Sequence, residues 1–332
     1  MKNKILSIIV PSYNIEKYID SCVPTYIDER LFDKVDIYFI DDGATDNTKS
    51  KLDMYLEKYP DYFHFVHKEN GGHGSVINFG VSNCVKTKYF KVIDGDDFVN
   101  PDELNKLVDY LSTNDDDLIV SCFVHEYPDK AEKQFAIKGE CSEFEEGKTY
   151  DSKLLESLNV TIHSATFKTD IFRKNQITLP EKVFYEDNLY ILYPMKYVKK
   201  ISFVNYFVYH YRLGNPNQSV SFANRNKHYL DSILCKNCAL EFLNSISNSK
   251  DEHLLNYAYR KISEGLSCYV GTICYWGKNK VVRQKCLELF EKDKQFPSLL
   301  NEMKKFRFLR FAFNTNFRFV ALYKLIIRVK NK

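Results

Sequence analysis

Runs of consecutive apolar residues alternate with stretches of helical periodicity through the first part of the chain. Residues 5–10 are almost continuously apolar, end at Pro11 and precede a helical stretch from Glu16, which predicts a central parallel strand feeding a crossover helix. The pattern recurs. Residues 35–40, 63–67, 89–93 and 117–124 predict further strands, with helices between them, one running to about Val85 and another starting near Asp102. Such alternation predicts an α/β fold, a mostly parallel Rossmann-like sheet with helices on both faces. Residues 126–150 are charged and turn-rich, which predicts a surface excursion. Residues 163–168 then predict a short strand, Tyr185-Glu186-Asp187-Asn188 opens a helix, and the aromatic run 203–211 predicts a last strand. From about Asn224 helical periodicity dominates, with His228, Leu230, Ile233 and Leu234 on a first helix and Leu254, Tyr257 and Ile262 on a second. The expected division is an α/β domain over 1–222 and a helical C-terminal region with a basic aromatic tail over 223–332.

The predicted strands lead into polar clusters. The second ends at Asp41-Asp42-Gly43-Ala44-Thr45-Asp46, a turn whose Thr45 and Asp46 can cap the following helix. The third leads to Asn70-Gly71-Gly72-His73-Gly74-Ser75, and the fourth runs into Asp94-Gly95-Asp96-Asp97. Ligands bind at the carboxyl ends of strands in such sheets, so these clusters are expected to form one site. Carboxylates this close repel one another unless a hard divalent cation sits among them, and oxygen donors suit Mg²⁺ or Mn²⁺. Gly95, between Asp94 and Asp96, is expected to let a bulky ligand approach the backbone. The plainer alternative is a solvated acidic turn before a helix. Two acids at a helix start, Glu186 and Asp187, also favour the macrodipole, so capping is their plainer reading.

Several enzyme classes are excluded. Gly72-His73-Gly74 begins like a dinucleotide fingerprint, but Ile77 stands where the third small residue belongs, and no phosphate-binding turn follows the first strand. There is no Gly-x-x-x-x-Gly-Lys-Ser/Thr loop. Asp94-Gly95-Asp96 lies too late in the chain for an aspartyl-nucleophile phosphatase.

Composition adds little until charge is mapped. With 44% hydrophobic and 15% aromatic residues over 332 positions, a large core is assured. The nine cysteines include no second pair to match Cys235 and Cys238, so a zinc site is not expected and reduced, buried thiols are. The apolar start is too short for a signal peptide or a spanning helix, which places the expected location in the cytoplasm. Lys304, Lys305, Arg307, Arg310, Arg318, Lys324, Arg328, Lys330 and Lys332 face no acid after Glu302, whereas the chain before them carries more acids than bases. The tail interleaves those bases with Phe306, Phe308, Phe311, Phe313, Phe317 and Phe319, the composition of a segment lying on an anionic membrane. Its alternative is a helix packed on the rest of the chain or on a second copy. Nothing resembles a nucleic-acid recognition module.

Taken together and in order, Ser7-Ile8-Ile9-Val10-Pro11-Ser12-Tyr13-Asn14, Asp41-Asp42-Gly43-Ala44-Thr45-Asp46, Asn70-Gly71-Gly72, Asp94-Gly95-Asp96-Asp97 and Glu186-Asp187 resemble a family 2 glycosyltransferase of the inverting GT-A type, over roughly residues 5–220. The resemblance implies a nucleotide-sugar donor, expected to be a UDP-sugar, with a divalent cation on its diphosphate. It also implies a glycan or lipid-linked acceptor in cell-envelope polysaccharide synthesis. By that resemblance Pro11, Tyr13 and Asp41 hold the base, with Asn70 and Gly71 beside it. Asp94 and Asp96 match the ribose- and metal-binding pair around Gly95, Asp187 the catalytic base with Glu186 next to it, and Arg212 and Ser219 the diphosphate contacts. The chain departs from the family at Val76-Ile77-Asn78, where many members carry Ala-Arg-Asn, and at His73, where proline is common. The missing arginine keeps a second reading in view, a nucleotide-sugar-binding scaffold without turnover. His163 is a candidate on the acceptor side, and His210, among aromatics, is read as a core residue.

Overall fold

The computed structural model describes residues 4–139, 143–214, 218–219, 224, 227–264 and 280–318. Two compact units divide at Asn215 and Pro216. The expected boundary at 222–223, Trp276 and the tail from Phe319 lie outside the described residues.

The first unit is built on one nine-stranded sheet. Strand β1 (Leu6–Pro11) lies between β2 (Val35–Asp41) and β4 (Tyr89–Val92), and β3 (Phe63–His67) extends the sheet beyond β2. These four run parallel, so their carboxyl ends share one edge. Leu6, Ile8, Ile9, Ile37, Ile40, Phe90 and Val92 are all buried, as expected of strands covered on both faces. The direction changes at β8 (Ala165–Lys168), which pairs antiparallel with β4 and with β6 (Leu118–Glu126). Next to β6, in parallel, lies β9 (Ile201–Arg212), and β5 (Phe98–Val99) closes the order by pairing antiparallel with β9.

The crossover helices are α1 (Glu16–Cys22), α2 (Thr48–Lys58), α3 (His73–Phe79) and α4 (Pro101–Thr113). Helix α4 shows why this sequence turns where it does. The Asn100 side chain accepts from Glu103 N at 3.2 Å, Pro101 opens the helix, Asp102 and Glu103 favour the dipole, and Leu104, Leu107, Val108 and Leu111 form one buried face. Two short helices follow, α5 (Thr169–Lys174) and α6 (Asp187–Leu192).

Two strands escape sequence periodicity. The charged excursion contains β7 (Ala131–Gln134), paired antiparallel with β6, whose polar Glu132, Lys133 and Gln134 suit a sheet edge. Strand β5 is only two residues long.

The second unit is helical: α7 (Tyr229–Ile246), α8 (Glu252–Glu264), α9 (Lys280–Asp293), α10 (Pro297–Lys304) and α11 (Arg307–Asn314). Leu254, Tyr257, Ala258 and Ile262 of α8, with Leu299 and Met303 of α10, are buried. Lys236 and Asp293 form a fully buried ion pair at 3.0 Å. Leu230 and Leu234, expected on the apolar face of α7, are exposed, and the buried face falls on Ile233, Cys235, Ala239, Leu240 and Leu243. Among the described residues Cys22, Cys84, Cys122, Cys235, Cys238 and Cys286 are free thiols, all but Cys238 buried.

Candidate active site

The parallel strands set the first wall. The loop after β1 meets the loop after β2 through Asn14, held at φ 54°, whose Oδ1 accepts from Thr45 N at 2.8 Å. Pro11 ends β1, and Tyr13 just beyond it is half exposed. Asp41, at the end of β2, accepts from Ala44 N at 2.7 Å through Oδ1, and its Oδ2 lies 2.7 Å from His67 Nδ1 at the end of β3. The neighbouring Asp42 does separate work. Its carboxylate accepts from Lys68 Nζ at 2.7 Å, Gly71 N at 2.9 Å and Gly72 N at 2.7 Å, while Asn70 Nδ2 donates to its carbonyl at 2.8 Å. Asp42, which sequence reasoning left unassigned, therefore seats Asn70, Gly71 and Gly72 beside the end of β2.

Strand β4 supplies the acids. A Cβ on Gly95 would lie 2.5 Å from the Pro11 carbonyl and 2.9 Å from Ile15, so the close approach that glycine permits here is taken by the end of β1. Asp97 is fully buried, accepting from the Tyr209 hydroxyl at 2.5 Å and from Arg212 N at 2.7 Å, and Asp94 N donates to the same hydroxyl at 3.1 Å. Burial, then the charges of Asp96 and Asp94, push the Asp97 carboxyl well above the usual range, against the two hydrogen bonds. Burial and neighbouring Asp94 raise Asp96 to about 6. Asp94, Asp97 and His163 offer ligand atoms that all lie within 4.8 Å of one another, a group that differs from the expected Asp94–Asp96 pair. His163 Nδ1 is buried without a hydrogen-bond partner, and burial lowers that imidazole to about 4, which favours its neutral form. Carboxylates with an imidazole suit a divalent cation.

Opposite these acids stand Glu186 and Asp187 at the start of α6, and His73 joins the two sides. Its Nε2 lies 2.9 Å from Asp94 Oδ1 and its Nδ1 lies 2.7 Å from Glu186 Oε1. Burial opposes charge on this ring, but the hydrogen bonds and charges of Asp94 and Glu186 outweigh it and hold the imidazole well above its ordinary value. Glu186 is buried and committed to His73, whereas Asp187 is half-buried and accepts from Asn188 Nδ2 at 3.2 Å. Burial and the charge of Glu186 raise Asp187 to about 6.

Strand β9 brings Arg212 to the cluster through its backbone, and the guanidinium lies over the rings of Phe98 at 4.9 Å and Tyr18 at 5.8 Å. Ser219 belongs to the second unit. His210 packs on Phe98 with ring centroids 4.8 Å apart and pairs with Glu126 at 2.6 Å. Beneath the acids, fully buried Lys91 donates to the His163 carbonyl at 2.7 Å and the Ala165 carbonyl at 3.2 Å, and burial lowers it to about 7. Nothing in the residue pattern of β4 distinguishes this lysine from a surface one.

The Tyr209 hydroxyl gives a first prediction. Tyr209→Phe strips a buried carboxylate of a donor, so it should destabilise the fold by about 1–3 kcal/mol. Urea titration followed by circular dichroism measures this; a change below about 0.5 kcal/mol would show that the hydroxyl is not needed to satisfy Asp97.

A glycosyltransferase of Streptococcus pneumoniae, GlyG, is 29% identical over 119 residues, 36% of this chain and 38% of that protein. An uncharacterized glycosyltransferase of Mycoplasma pneumoniae, the MG060 homolog, is 27% identical over 245 residues, 70% of this chain and 76% of the relative. The chain spans only about two fifths of the first curated relatives it matches. Among solved structures, S. aureus TarS 1–349 superposes with a TM-score of 0.66 at 18% identity, covering 98% of this chain and 92% of that one. The same TarS fragment in complex with UDP-GlcNAc gives a TM-score of 0.57 at 16% identity, over 94% and 92% of the two chains. These likenesses establish the fold as GT-A-like, an α/β sheet domain followed by a helical region. The model of glycosyl transferase family 2 matches residues 7–176, more than half of the 332, and contains the strand-end acids Asp41, Asp94 and Asp96, so the chain belongs to that family.

Proposed function

We propose that this chain is a metal-dependent inverting glycosyltransferase that moves a sugar from a nucleotide-sugar, a UDP-sugar, to a hydroxyl of a glycan or lipid-linked acceptor in cell-surface polysaccharide synthesis. The observation that carries the reading is Asp187, a half-buried acid raised to about 6, held beside Glu186, which His73 links to the strand-end acids. A base tuned near neutrality is what an attacking hydroxyl needs. TarS, a fold neighbour, binds UDP-GlcNAc, which supports the choice of donor.

In this reading the acceptor oxygen attacks the anomeric carbon, its proton passes to an Asp187 oxygen, and the bond to the diphosphate breaks in the same displacement, inverting the centre. Glu186, bound to His73, is a supporting acid rather than the base. Asp41 already accepts two hydrogen bonds, yet each carboxylate oxygen has a second lone pair for a pyrimidine N–H. Pro11, Tyr13, Asn70 and Gly71 would flank that base, and Asp94 would hold the ribose. Asp94 and Asp96 would hold Mg²⁺ or Mn²⁺, with Asp97 bracing the cluster through Tyr209 and the Arg212 backbone. Such a cation would offset charge on the leaving diphosphate. Arg212 would meet the same charge.

Ligand-induced thermal shift tests the donor class. UDP and a UDP-sugar with Mn²⁺ should raise the unfolding temperature, and GDP should do so less. No shift with any nucleotide would remove the reading. The scaffold alternative, motivated by Val76-Ile77-Asn78, predicts the same shift and no turnover.

For the membrane, Phe313 and Phe317 are not available for insertion as the sequence suggested. Both are buried, stacking on or against Phe290 with centroids 4.4 Å and 5.8 Å apart. Among the described residues of this segment, Lys305, Phe306, Arg307, Arg310 and Arg318 are exposed. No helix among the described residues is long and apolar enough to cross a membrane. Docking would therefore be peripheral and mainly electrostatic, with each base worth about 1 kcal/mol. Truncation before Lys304 should destabilise the helical unit, because Leu309, Ala312 and Phe313 leave its core. Arg307→Glu with Arg310→Glu should instead keep the unfolding temperature and cut co-sedimentation with anionic vesicles by about tenfold or more. Unchanged vesicle binding would place any anchor elsewhere.

A further inference from the structure

We infer that His73 is a positioning residue for the transfer reaction, a two-ended tether that fixes the acid ending β4 relative to the acids opening α6. This rests on the reading of the site as a glycosyl-transfer centre. Its partners, Asp94 and Glu186, lie 21 and 113 residues away in sequence, and each ring nitrogen meets one of them. Because Asp187 follows Glu186 directly, a bond that fixes Glu186 also fixes where the base can sit.

Other residues of α3 and its entry loop contact the segment 179–186 that leads into α6. Gly71 O accepts from Lys182 N at 2.6 Å. Asn78 clamps Leu179 from both sides, its Oδ1 accepting from Leu179 N at 2.9 Å and its Nδ2 donating to Leu179 O at 3.0 Å. A Cβ on Gly74 would lie 2.4 Å from the Pro180 carbonyl and 3.0 Å from Glu186 Cγ, so the segment is seated directly on the helix backbone. That segment needs holding. Lys182 and Tyr185 have φ of 56° and 72°, left-handed conformations that strain a non-glycine residue and persist only when the surroundings impose them. His73 is the last contact of this series and the one that reaches across to Asp94.

The test compares His73→Ala, Glu186→Gln, the double variant and Asp187→Asn in steady-state kinetics, with UDP affinity from calorimetry and folding from thermal unfolding. A misplaced base costs about 10²-fold, so His73→Ala should lower kcat by about that factor while the Kd for UDP stays within about threefold. Glu186→Gln should do the same, the double variant should be no worse than the poorer single one, and added imidazole should restore part of the His73→Ala rate. If His73→Ala does not fold, Glu186→Gln loosens the same bond and carries the prediction. Additive losses, a kcat within twofold of the parent, or a loss confined to UDP affinity would overturn the proposal. A dead Asp187→Asn beside a normal His73→Ala would sink the tether alone, whereas a parent protein inactive on every donor would remove the transfer reading and the tether with it.

Discussion

Replacing Asp187 by Asn should abolish transfer and at the same time stabilise the protein. The amide keeps the shape of the side chain but cannot take the acceptor's proton, so kcat should fall by about 10³-fold while the Kd for UDP stays near that of the parent. The parent's rate should rise with pH through about 6, where Asp187 ionises. Stability moves the other way. The folded value of Asp187 lies above the unfolded one, so the folded chain binds this proton more tightly, and the contribution is full below the ordinary aspartate range and lost as pH rises through about 6. At pH 8 without metal the ionised side chain costs an order of 1–3 kcal/mol, less for its partial exposure. Asp187→Asn removes that cost, so its unfolding temperature should exceed the parent's at pH 8, with the gap closing toward pH 4. An active Asp187→Asn would move the base elsewhere, with Glu186 next.

The second large effect concerns Asp96. Burial and the charge of Asp94 raise its carboxyl to about 6, so the apo site resists holding every acid ionised. A cation that dehydrates reluctantly should bind weakly to these acids alone and more than about tenfold tighter once a diphosphate supplies further oxygens. Asp96→Asn should remove that cooperativity and lower kcat/KM by about 10² or more, with Mn²⁺ affinity in the presence of UDP as the independent readout. Equal Mn²⁺ affinity with and without UDP in the parent would count against Asp94 and Asp96 as ligands that need the diphosphate. An effect seen with His163→Ala but not Asp96→Asn would favour the Asp94–Asp97–His163 group instead.

Much of the fold was legible because its first half is written in continuous apolar runs. Buried parallel strands such as β1 and β2 cannot be anything else when bounded by Pro11 and by Asp41-Asp42-Gly43. Edge elements were not legible. The four residues of β7, three of them polar, and the two of β5 carry no periodicity, and only their partners β6 and β9 make them strands. Helix α7 misled in a different way, since Leu230 and Leu234 share helical spacing yet face outward.

At the site, the residue types were legible and their division of labour was not. Asp41 and Asp42 are adjacent and alike in sequence, but alternate side chains leave opposite faces of the backbone, so one reaches His67 and the other seats the glycine loop. His73 could be singled out as a departure from the family, while its contacts at 21 and 113 residues' distance are tertiary facts with no local trace. The tail's Phe313 and Phe317 had two readings of equal composition, membrane or core, and packing against Phe290 decides for the core.

A turnover site for a nucleotide-sugar, built from these acids and His73, should reveal itself by donor hydrolysis. Parent and Asp187→Asn proteins would be incubated with a panel of UDP-sugars and Mn²⁺, following UDP release and the anomeric configuration of the freed sugar by NMR. The parent should release UDP slowly from at least one donor, with inverted configuration, and Asp187→Asn should bind without release. Binding without release by the parent, or equal release by both proteins, would contradict it.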